Sequence, residues 1–269
     1  MPEGPEIKKA TDFLNKAFKN SNTIKSFEFL DGRYLKKKLP DNWEKISFPL
    51  KIKEVKCKGK FIYIETQDAE ISLWNTFGLS GSWKKIKTKY CKFKVTLENG
   101  DILYYNDKLG YGTLKVCPEH KELEKKLNSL GLDIMIKENT SQDFVNLIRK
   151  KCTKTNKEIG IVLMNQKIAC GCGNYIRADT LYFSKIDPFR KVNDVKDQEL
   201  VTIWNALQKT AFFNYNVNLG IKLDILKADD LDHLMQARIY NSNYDDQRNR
   251  IEKKKLGDRT VHYCPEVQI

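Results

Sequence analysis

Apolar residues recur along this chain at two different spacings. Over residues 5–18 they fall every three or four positions, as on one face of a helix, and a proline and a glutamate suit its first turn. From about residue 24 to residue 116, apolar and polar residues alternate in short runs that are typical of strands, and the Asn99-Gly100 pair provides a hairpin turn. The first half therefore predicts one helix followed by a β-sandwich or barrel.

Helical spacing returns in the second half of the chain. Between residues 117 and 130 the apolar density falls and the charge rises, as expected at a domain boundary. We predict an α+β protein with two domains, residues 1–127 and residues 128–269, whose polar and basic end begins at about residue 240. The second domain contains four segments with helical spacing, at residues 141–151, 156–166, 174–185 and 197–213.

The chain carries 48 Lys and Arg residues against 35 Asp and Glu residues, a formal net charge of +13. Such an excess attracts polyanions, so nucleic acid is the leading class of partner, and an ordinary solvated basic surface is the alternative. Seven cysteines without a CxxC pair fit no disulfide framework and indicate reduced thiols. No run approaches the roughly 18 apolar residues of a membrane span. We therefore expect an intracellular protein of nucleus, cytoplasm or viral factory, with no membrane partner.

The opening residues, MPEGPE, combine a proline at position 2 with two glutamates. Removal of methionine before a small residue would leave Pro2 as a free secondary amine. An α-amino group with a pKa of about 7.7–8.0 holds far more free base at neutral pH than a lysine at about 10.4. Such an amine attacks a sugar C1′ carbon and forms an iminium, and Glu3 and Glu6 lie beside it to move protons or position groups. The alternative is a capped helix with a loose chain end.

A glycine-rich turn runs into a helix at residues 170–182, CGCGNYIRADTLY. The first backbone amides of that helix and the Asn174 side chain suit a phosphate, although Asn174 can equally be a plain helix cap. Residues 159–191, which contain this turn, resemble the helix-two-turns-helix segment of the Fpg/Nei DNA glycosylases. PEGPE, at residues 2–6, resembles the N-terminal motif of the same family.

Three shorter stretches extend the resemblance over nearly the whole chain. KGKFIYI is similar to the family's strand with an active-site lysine, here Lys60. FGLSGSW resembles the loop that delivers a residue, here Leu79, into the gap left by a flipped base. GDRTVHYC resembles the finger that ends the family's chains, and it presents Arg259. Within the family, GNYIRAD and IDPFRK resemble the Nei-like branch and its zincless viral members, that of mimivirus in particular.

The resemblance implies catalytic roles for four residues. Pro2 is the expected nucleophile at C1′ of the damaged nucleotide, and Glu3 the acid and base for ring opening and elimination. Glu6 is the expected positioning carboxylate. Lys60 is expected to contact phosphate and to assist later steps, with an ordinary surface lysine as the alternative.

The resemblance also implies a set of residues that contact DNA. Asn174 and Arg259 are expected to bracket the phosphates beside the lesion, and Leu79 to enter the base stack as a wedge. The alternatives are a solvated charge for Arg259 and an ordinary core position for Leu79. The complete set comprises Asn174, Arg259, Leu79, Tyr111, Gly173 and Lys167.

The sequence departs from the family pattern in the finger. Family fingers usually hold zinc with two CxxC pairs, whereas this region offers only Cys264, His233 and His262, too few for a closed tetrahedral site. We therefore predict that the chain uses no metal and no cofactor, and that a two-stranded finger keeps its shape by packing.

Two further departures concern the DNA contacts. Where many relatives read YNDPRRFG, this chain reads YNDKLGYG, so Gly110 replaces the strand-opposite arginine and void filling falls mostly on Leu79. A leucine offers an orphaned base no hydrogen bonds, so we expect weak discrimination of the opposite base. The glycine-rich loop that covers 8-oxoguanine in Fpg has no clear counterpart near residues 214–224.

These features together predict a bifunctional DNA glycosylase and AP lyase of base excision repair. It would excise oxidised bases, mainly pyrimidines, through a Schiff base on Pro2 and cleave the strand by β,δ-elimination. The expected partner is damaged double-stranded DNA, with single-stranded DNA as a second candidate, and we expect a monomer. The alternatives are an Fpg-like preference for oxidised purines and a DNA-binding relative that has lost its chemistry.

Overall fold

The computed structural model describes residues 1–36, 38–67, 70–218 and 239–269. The described chain divides into two compact units. The first contains Met1–Pro2 and Glu6–Ser129, and the second contains Glu3–Pro5 and Leu130–Ile269. Residues Glu3–Pro5, close to the start of the chain, therefore pack with the second unit.

The first unit is built from strands that follow one long helix. Its strands are β1 (Thr23–Phe29), β2 (Leu50–Lys58), β3 (Phe61–Thr66), β4 (Ser72–Thr76), β5 (Gly81–Lys84), β6 (Cys91–Leu97), β7 (Ile102–Asp107) and β8 (Thr113–Cys117). Its helices are α1 (Gly4–Asn20), α2 (Arg33–Lys36) and α3 (His120–Ser129), with a 3₁₀ turn at Trp43–Lys45.

The strands form an antiparallel sheet in the order β5-β7-β6-β1-β2-β3-β4-β8. Its two four-stranded halves meet at β1 and β2, which pair only through Thr23 with Lys51 and Ile24 with Leu50. Buried side chains from both halves and from α1 form one apolar cluster. The predicted β-sandwich with a preceding helix is confirmed.

Alternating burial in β6 explains why this stretch becomes a strand with one face inward. Cys91, Phe93, Val95 and Leu97 are buried and the residues between them are partly exposed, as the sequence predicts. Phe93 stacks on Tyr105 of β7, with ring centroids 4.7 Å apart. Such pairs anchor the register of neighbouring strands, because a shift by one residue would turn the apolar face outward.

The charged stretch before residue 130 is a helix, α3, rather than a simple connection. Its single buried residue is Leu123, so its apolar content is too low for periodicity to reveal it. The Lys58 ammonium group donates to the backbone oxygen of Leu127 at 3.0 Å, which ties the helix to β2.

The second unit is mainly helical. Its elements are β9 (Leu132–Asp133), α4 (Ser141–Cys152), α5 (Ile159–Met164), β10 (Ala169–Cys170), α6 (Asn174–Phe183), α7 (Asp197–Asn218), β11 (Glu252–Leu256) and β12 (Arg259–Tyr263). Phe144 of α4 stacks on Trp204 of α7 at 5.0 Å, and both are fully buried. The four predicted helical segments are confirmed. Among the helices of the described ranges, none is long and apolar enough to cross a membrane.

The chain ends in a two-stranded antiparallel hairpin of β11 and β12, joined by a turn at Gly257, whose φ is 62°. In the part of the chain that the structure describes, no three His, Cys, Asp or Glu side chains come together as a metal site, and Cys264 is the hairpin's single thiol. His233 lies outside the described residues.

A buried carboxylate organises the loop that leads into the hairpin. Asp245 accepts hydrogen bonds from the backbone N–H groups of Asn249, at 2.7 Å, and Gln247, at 3.0 Å. It also accepts from the Asn249 amide and from the Tyr182 hydroxyl of α6, both at 2.9 Å. The base of the hairpin is therefore held by a polar network as well as by packing. The sequence predicted packing and did not reveal this network.

We expect Asp245→Asn to lower the free energy that stabilises the hairpin by about 1–3 kcal/mol. The NH₂ group of the new side chain is a donor and would face backbone N–H groups that also donate. Burial raises the pKa of Asp245, but hydrogen bonds from Asn249 and Tyr182 outweigh it and hold the pKa below its usual 3.8. A depressed folded-state pKa contributes stability above about pH 4 that is lost as pH falls. The protection of residues 251–263 against amide hydrogen exchange should therefore decrease in the native chain as the pH falls. The decrease should be smaller in the variant.

Asp246→Asn is the matched control, because Asp246 is exposed and its contact with the Tyr182 hydroxyl is long, at 3.5 Å. Equal protection in the Asp245 and Asp246 variants would show that the Asp245 network does not hold the hairpin.

Candidate functional site

The carboxylate of Glu3 lies at the first turn of α6. Glu3 is 1% exposed, and its two oxygens accept hydrogen bonds from the backbone N–H groups of Tyr175, at 3.1 Å, and Ile176, at 3.3 Å. The first amides of a helix have no partner within the helix and lie at the positive end of its dipole. A carboxylate therefore suits this position, and the contact holds Glu3 within the second unit.

These bonds change the expected phosphate site. The sequence predicts that the first amides of α6 face a phosphate, but those of Tyr175 and Ile176 donate to Glu3 instead. The protein's own carboxylate takes the place expected for the ligand. The side chains at the start of α6, and not these two amides, remain to contact an anion.

The turn that receives Glu3–Pro5 is shaped by Gln166, a residue that sequence reasoning missed. Its side-chain oxygen accepts from the backbone N–H of Gly171 at 3.0 Å, and its amide donates to the backbone oxygen of Cys172 at 2.8 Å. The backbone N–H of Gly4 then donates to the oxygen of Gly171 at 2.9 Å. The sequence offered one indication of this role, an amide side chain shortly before a glycine-rich turn. The hydrogen-bond partners of that side chain are known only from the fold.

Asn174 and the hairpin come together in the second unit. The Asn174 amide donates to the backbone oxygen of Thr260 at 3.0 Å, and its oxygen accepts from the buried guanidinium of Arg177. Arg259 directly precedes Thr260 and is exposed. The two residues predicted to bracket phosphates are thus neighbours, connected through one peptide of β12.

The other predicted contacts of the second unit lie in the adjoining turns. Gly173 is buried, with φ −134° and ψ −158°, and contributes no side chain to the cap of α6. Lys167 is exposed, and its backbone N–H donates to the Asn165 side chain at 3.0 Å. Lys167 is therefore available to a polyanion, whereas the contribution of Gly173 is to bring the chain into the helix.

Three of the predicted catalytic residues lie in the first unit. Pro2 is partly exposed and Glu6, also partly exposed, occupies the first turn of α1. Lys60 is partly exposed in the turn between β2 and β3, one residue before β3 begins. Glu3, one residue from Pro2, is the member of the set that belongs to the second unit.

Leu79 and Tyr111 lie on neighbouring loops of the first unit, residues 77–80 and 108–112, which we name the apolar loops. Leu79 is 38% exposed and Tyr111 is 59% exposed, so neither is an ordinary core residue. A third large side chain, Leu109, is 52% exposed on the same loops, and sequence reasoning missed it.

Hydrogen bonds fix the apolar loops to each other. The Ser80 hydroxyl donates to the buried carboxylate of Asp107 and accepts from the backbone N–H of Leu109 at 2.9 Å. Asp107 also accepts from the backbone N–H of Gly112 at 2.7 Å. Gly110, the position without the expected arginine, has its backbone oxygen bonded by the Arg33 guanidinium at 2.9 Å.

Two family models match the chain. The formamidopyrimidine-DNA glycosylase N-terminal domain matches residues 1–114, and the formamidopyrimidine-DNA glycosylase H2TH domain matches residues 130–214. The chain belongs to the formamidopyrimidine-DNA glycosylase family. Every residue predicted for the site except Arg259 falls within the two matched ranges.

Two curated relatives match over all or nearly all of their length. The formamidopyrimidine-DNA glycosylase of Ureaplasma parvum is 24% identical over 280 residues, covering 100% of both chains. That of Bacillus cereus is 24% identical over 293 residues, covering 100% of this chain and 99% of the relative.

Solved structures share the fold of this family member. The Lactococcus lactis glycosylase bound non-covalently to DNA with an AP site has a TM-score of 0.78 at 18% identity, with 99% of each chain covered. The same enzyme with DNA containing FAPY-dG has a TM-score of 0.78 at 19% identity, with 98% covered. MutM with DNA containing carbocyclic 8-oxo-G reaches 0.79 at 20% identity over 100% of both chains.

Two glycines test how the apolar loops of this glycosylase are held. Both have positive φ, 56° at Gly78 and 71° at Gly110. A Cβ at Gly78 would lie 2.7 Å from the Cβ of Tyr111, whereas nothing lies within 4 Å of one at Gly110. Gly110→Ala should therefore cost only left-handed strain, about 1–2 kcal/mol, and Gly78→Ala clearly more. Chemical denaturation of the two variants measures the difference, and equal stabilities would contradict the close packing of the loops.

Proposed function

We propose that this chain is a bifunctional DNA glycosylase and AP lyase of base excision repair that removes oxidised bases, mainly pyrimidines, from damaged duplex DNA. The docking of Glu3–Pro5 onto the start of α6 carries the proposal. It places the buried carboxylate of Glu3, one residue from Pro2, in contact with the helix turn that carries Asn174. The first turn of α6 then positions both the proposed proton-transfer group and the proposed phosphate contact.

In the proposed reaction, loss of Met1 exposes the nitrogen of Pro2, which attacks C1′ of the damaged nucleotide in its unprotonated form. The bond from C1′ to the base breaks, and the base leaves with the bonding electrons and takes up a proton. The nitrogen loses its proton, the C1′–O4′ bond opens with a proton delivered to O4′, and an iminium forms. Glu3 is assigned this proton transfer, and Glu6 positions the reacting groups.

The iminium then acts as an electron sink for strand cleavage. Removal of a proton from C2′ expels the 3′ phosphate, and a second elimination expels the 5′ phosphate, which leaves a gap in the strand. Water hydrolyses the remaining iminium and returns the free amine. Lys60 is assigned a phosphate contact and assistance in these later steps.

The start of α6 and the hairpin supply the proposed grip on the backbone. An amide nitrogen carries two hydrogens, and Asn174 uses one for the Thr260 oxygen, so the second is a donor for a phosphate. The exposed guanidinium of Arg259 lies one residue from that bond, and Lys167 adds a further exposed cation. Such contacts position the duplex without reading its sequence.

The apolar loops supply the proposed wedge. Leu79, Leu109 and Tyr111 present apolar surface that can fill the gap left by a flipped nucleotide. Void filling is thus assigned to three side chains, not mostly to Leu79. Both leucines lack hydrogen-bonding groups, which supports weak discrimination of the base opposite the lesion.

The preference for pyrimidines rests on placement in the Nei-like branch, near its zincless viral members. GNYIRAD at residues 173–179 supports that placement, as does a hairpin whose residues do not fit zinc. Residues 214–224, where the sequence shows no clear counterpart of the loop that covers 8-oxoguanine, are described only in part. Residues 214–218 end α7, and residues 219–224 lie outside the described residues. The second candidate is excision of oxidised purines, which the names of the matched models and relatives favour. A DNA-binding relative without chemistry is disfavoured by the presence of Pro2, Glu3 and Lys60.

Borohydride trapping tests the covalent step. Reduction during incubation with a duplex that contains thymine glycol should convert the iminium into a stable protein–DNA adduct, since the reduced bond no longer hydrolyses. Intact-mass analysis of the same material should show Met1 absent and the adduct on Pro2. Pro2→Gln, which retains Met1 ahead of a larger residue, is the control and should give no adduct. Strand cleavage by material that keeps Met1 would refute the assigned nucleophile.

A lesion panel tests the substrate class. We expect faster excision of thymine glycol and hydantoins than of 8-oxoguanine under single-turnover conditions, in both duplex and single-stranded DNA. Because the two leucines of the wedge offer no hydrogen bonds, rates opposite A, C, G and T should differ by less than about tenfold. Preferred excision of 8-oxoguanine would favour the Fpg-like alternative.

A further inference from the structure

The direction of the Asn174 amide decides whether this residue can donate to a phosphate. An asparagine side chain presents an oxygen acceptor on one side and an NH₂ donor on the other, and a half rotation exchanges them. With the oxygen outward, Asn174 would repel an anionic phosphate oxygen. A neighbouring group that fixes the direction of the amide would therefore determine whether Asn174 can contact DNA.

Arg177, one turn along α6, fixes that direction. Its Nη2 donates to the Asn174 side-chain oxygen and, at 3.4 Å, to the backbone oxygen of Thr260. Because a guanidinium has no acceptor, the Asn174 oxygen must face Arg177 and the NH₂ group must face Thr260 and the surface. The same amide donates to Thr260 at 3.0 Å, so both ends of the side chain are held.

The guanidinium also joins three elements of the second unit. Its Nη1 donates to the backbone oxygen of Gly160 in α5 at 3.2 Å. A Cβ at Gly160 would lie 2.7 Å from the Leu256 side chain and 2.9 Å from the backbone oxygen of Pro188, so α5 packs tightly against the hairpin there. Arg177 thus connects α5, the start of α6 and β12.

A buried cation with neutral hydrogen-bond partners requires an explanation. Arg177 is 1% exposed, and its hydrogen bonds go to backbone and amide oxygens. Burial lowers its pKa, while Cys172, Glu3 and Asp258 act in the opposite direction, and the group stays charged at neutral pH. Apolar residues would fill this space at lower cost in desolvation, so packing alone does not account for an arginine here.

We propose that Arg177 is a positioning residue for DNA recognition, which locks the Asn174 amide with its donor toward a phosphate. This inference rests on the proposed function, because it assigns a reason to a contact that the proposal requires. Arg177 itself stays beneath the surface and touches no phosphate.

Replacement of Arg177 tests this role through binding to a duplex with a tetrahydrofuran abasic analogue. Arg177→Met should weaken binding by about tenfold or more, since a charge-assisted hydrogen bond that orients the donor is lost. Single-turnover excision at saturating protein should stay near the native rate, so the loss appears in affinity and not in chemistry. Arg248→Met removes the same charge from an exposed position of the same unit and should change affinity by less than about threefold.

Two measurements separate a positioning role from a direct or merely structural one. The slope of log Kd against log salt should stay unchanged in Arg177→Met, whereas loss of a phosphate contact would reduce it by about 0.9. In an Asn174→Ala background, Arg177→Met should cause little further loss of affinity, because both changes remove one function. A reduced slope, or additive losses in the double variant, would overturn the proposal.

Two further variants keep the test informative when Arg177→Met does not fold. Arg177→Lys retains a cation that can donate to one acceptor but lacks the planar guanidinium that donates to several. Its affinity for the duplex should lie between those of Arg177→Met and the native protein. Asn174→Asp retains an acceptor for Arg177 and suits a helix start, while it removes the donor, so it should bind poorly. Native affinity in either variant would contradict the role of Arg177. Failure of the native protein to bind the abasic duplex or to form the borohydride adduct would instead refute the proposed function.

Discussion

The first turn of α6 offers few backbone donors, and the protein uses two of them for its own Glu3. A helix start concentrates unpaired N–H groups and the positive end of the dipole at one place. Bonds of 3.1 and 3.3 Å to Tyr175 and Ile176 neutralise that place from within. Chain ends commonly fray, but this one is held by a buried carboxylate and by the bond from Gly4 to Gly171. The nucleophilic amine that we propose at Pro2 requires such a hold, because a mobile group rarely meets a sugar carbon at bonding distance.

Because two amides of α6 bond Glu3, the proposed phosphate contact falls to side chains. In that proposal Asn174 supplies the donor and Arg177 orients it. Further along the same helix, Asp179 accepts from the backbone N–H of Ile239 at 3.1 Å, and Tyr182 donates to Asp245. One helix therefore fixes the C-terminal segment by polar contacts at residues 239 and 245. A charged partner makes each of these hydrogen bonds contribute about 1.5–3 kcal/mol, enough to hold a small hairpin.

Periodicity predicted the parts of the fold that depend on local burial. The helix α1 and the alternating strand β6 follow from spacing alone, because each buries one face against a common core. The partners of Glu3 lie 172 and 173 residues away, and no local pattern encodes them. The same holds for Gln166 and Asp245, whose side chains bond backbone groups that become available only after the turns form. Motif resemblance located Asn174 and Arg259, but the peptide that connects them appears only in the folded chain.

The wedge that we propose combines exposed apolar side chains with rigid loops. Three large apolar side chains at a surface cost solvation free energy, and isolated exposed leucines are common enough to mean little. Here Leu79, Leu109 and Tyr111 lie on loops that a buried Asp107, a hydroxyl and a tight glycine contact hold in one conformation. A flexible loop would lose conformational entropy on entering a base stack, and that loss would oppose the unstacking it must drive. Fixing the loops beforehand moves this cost from binding to folding, where the core of the first unit can offset it. Apolar exposure on a rigid support is therefore the combination expected of a surface that inserts into DNA.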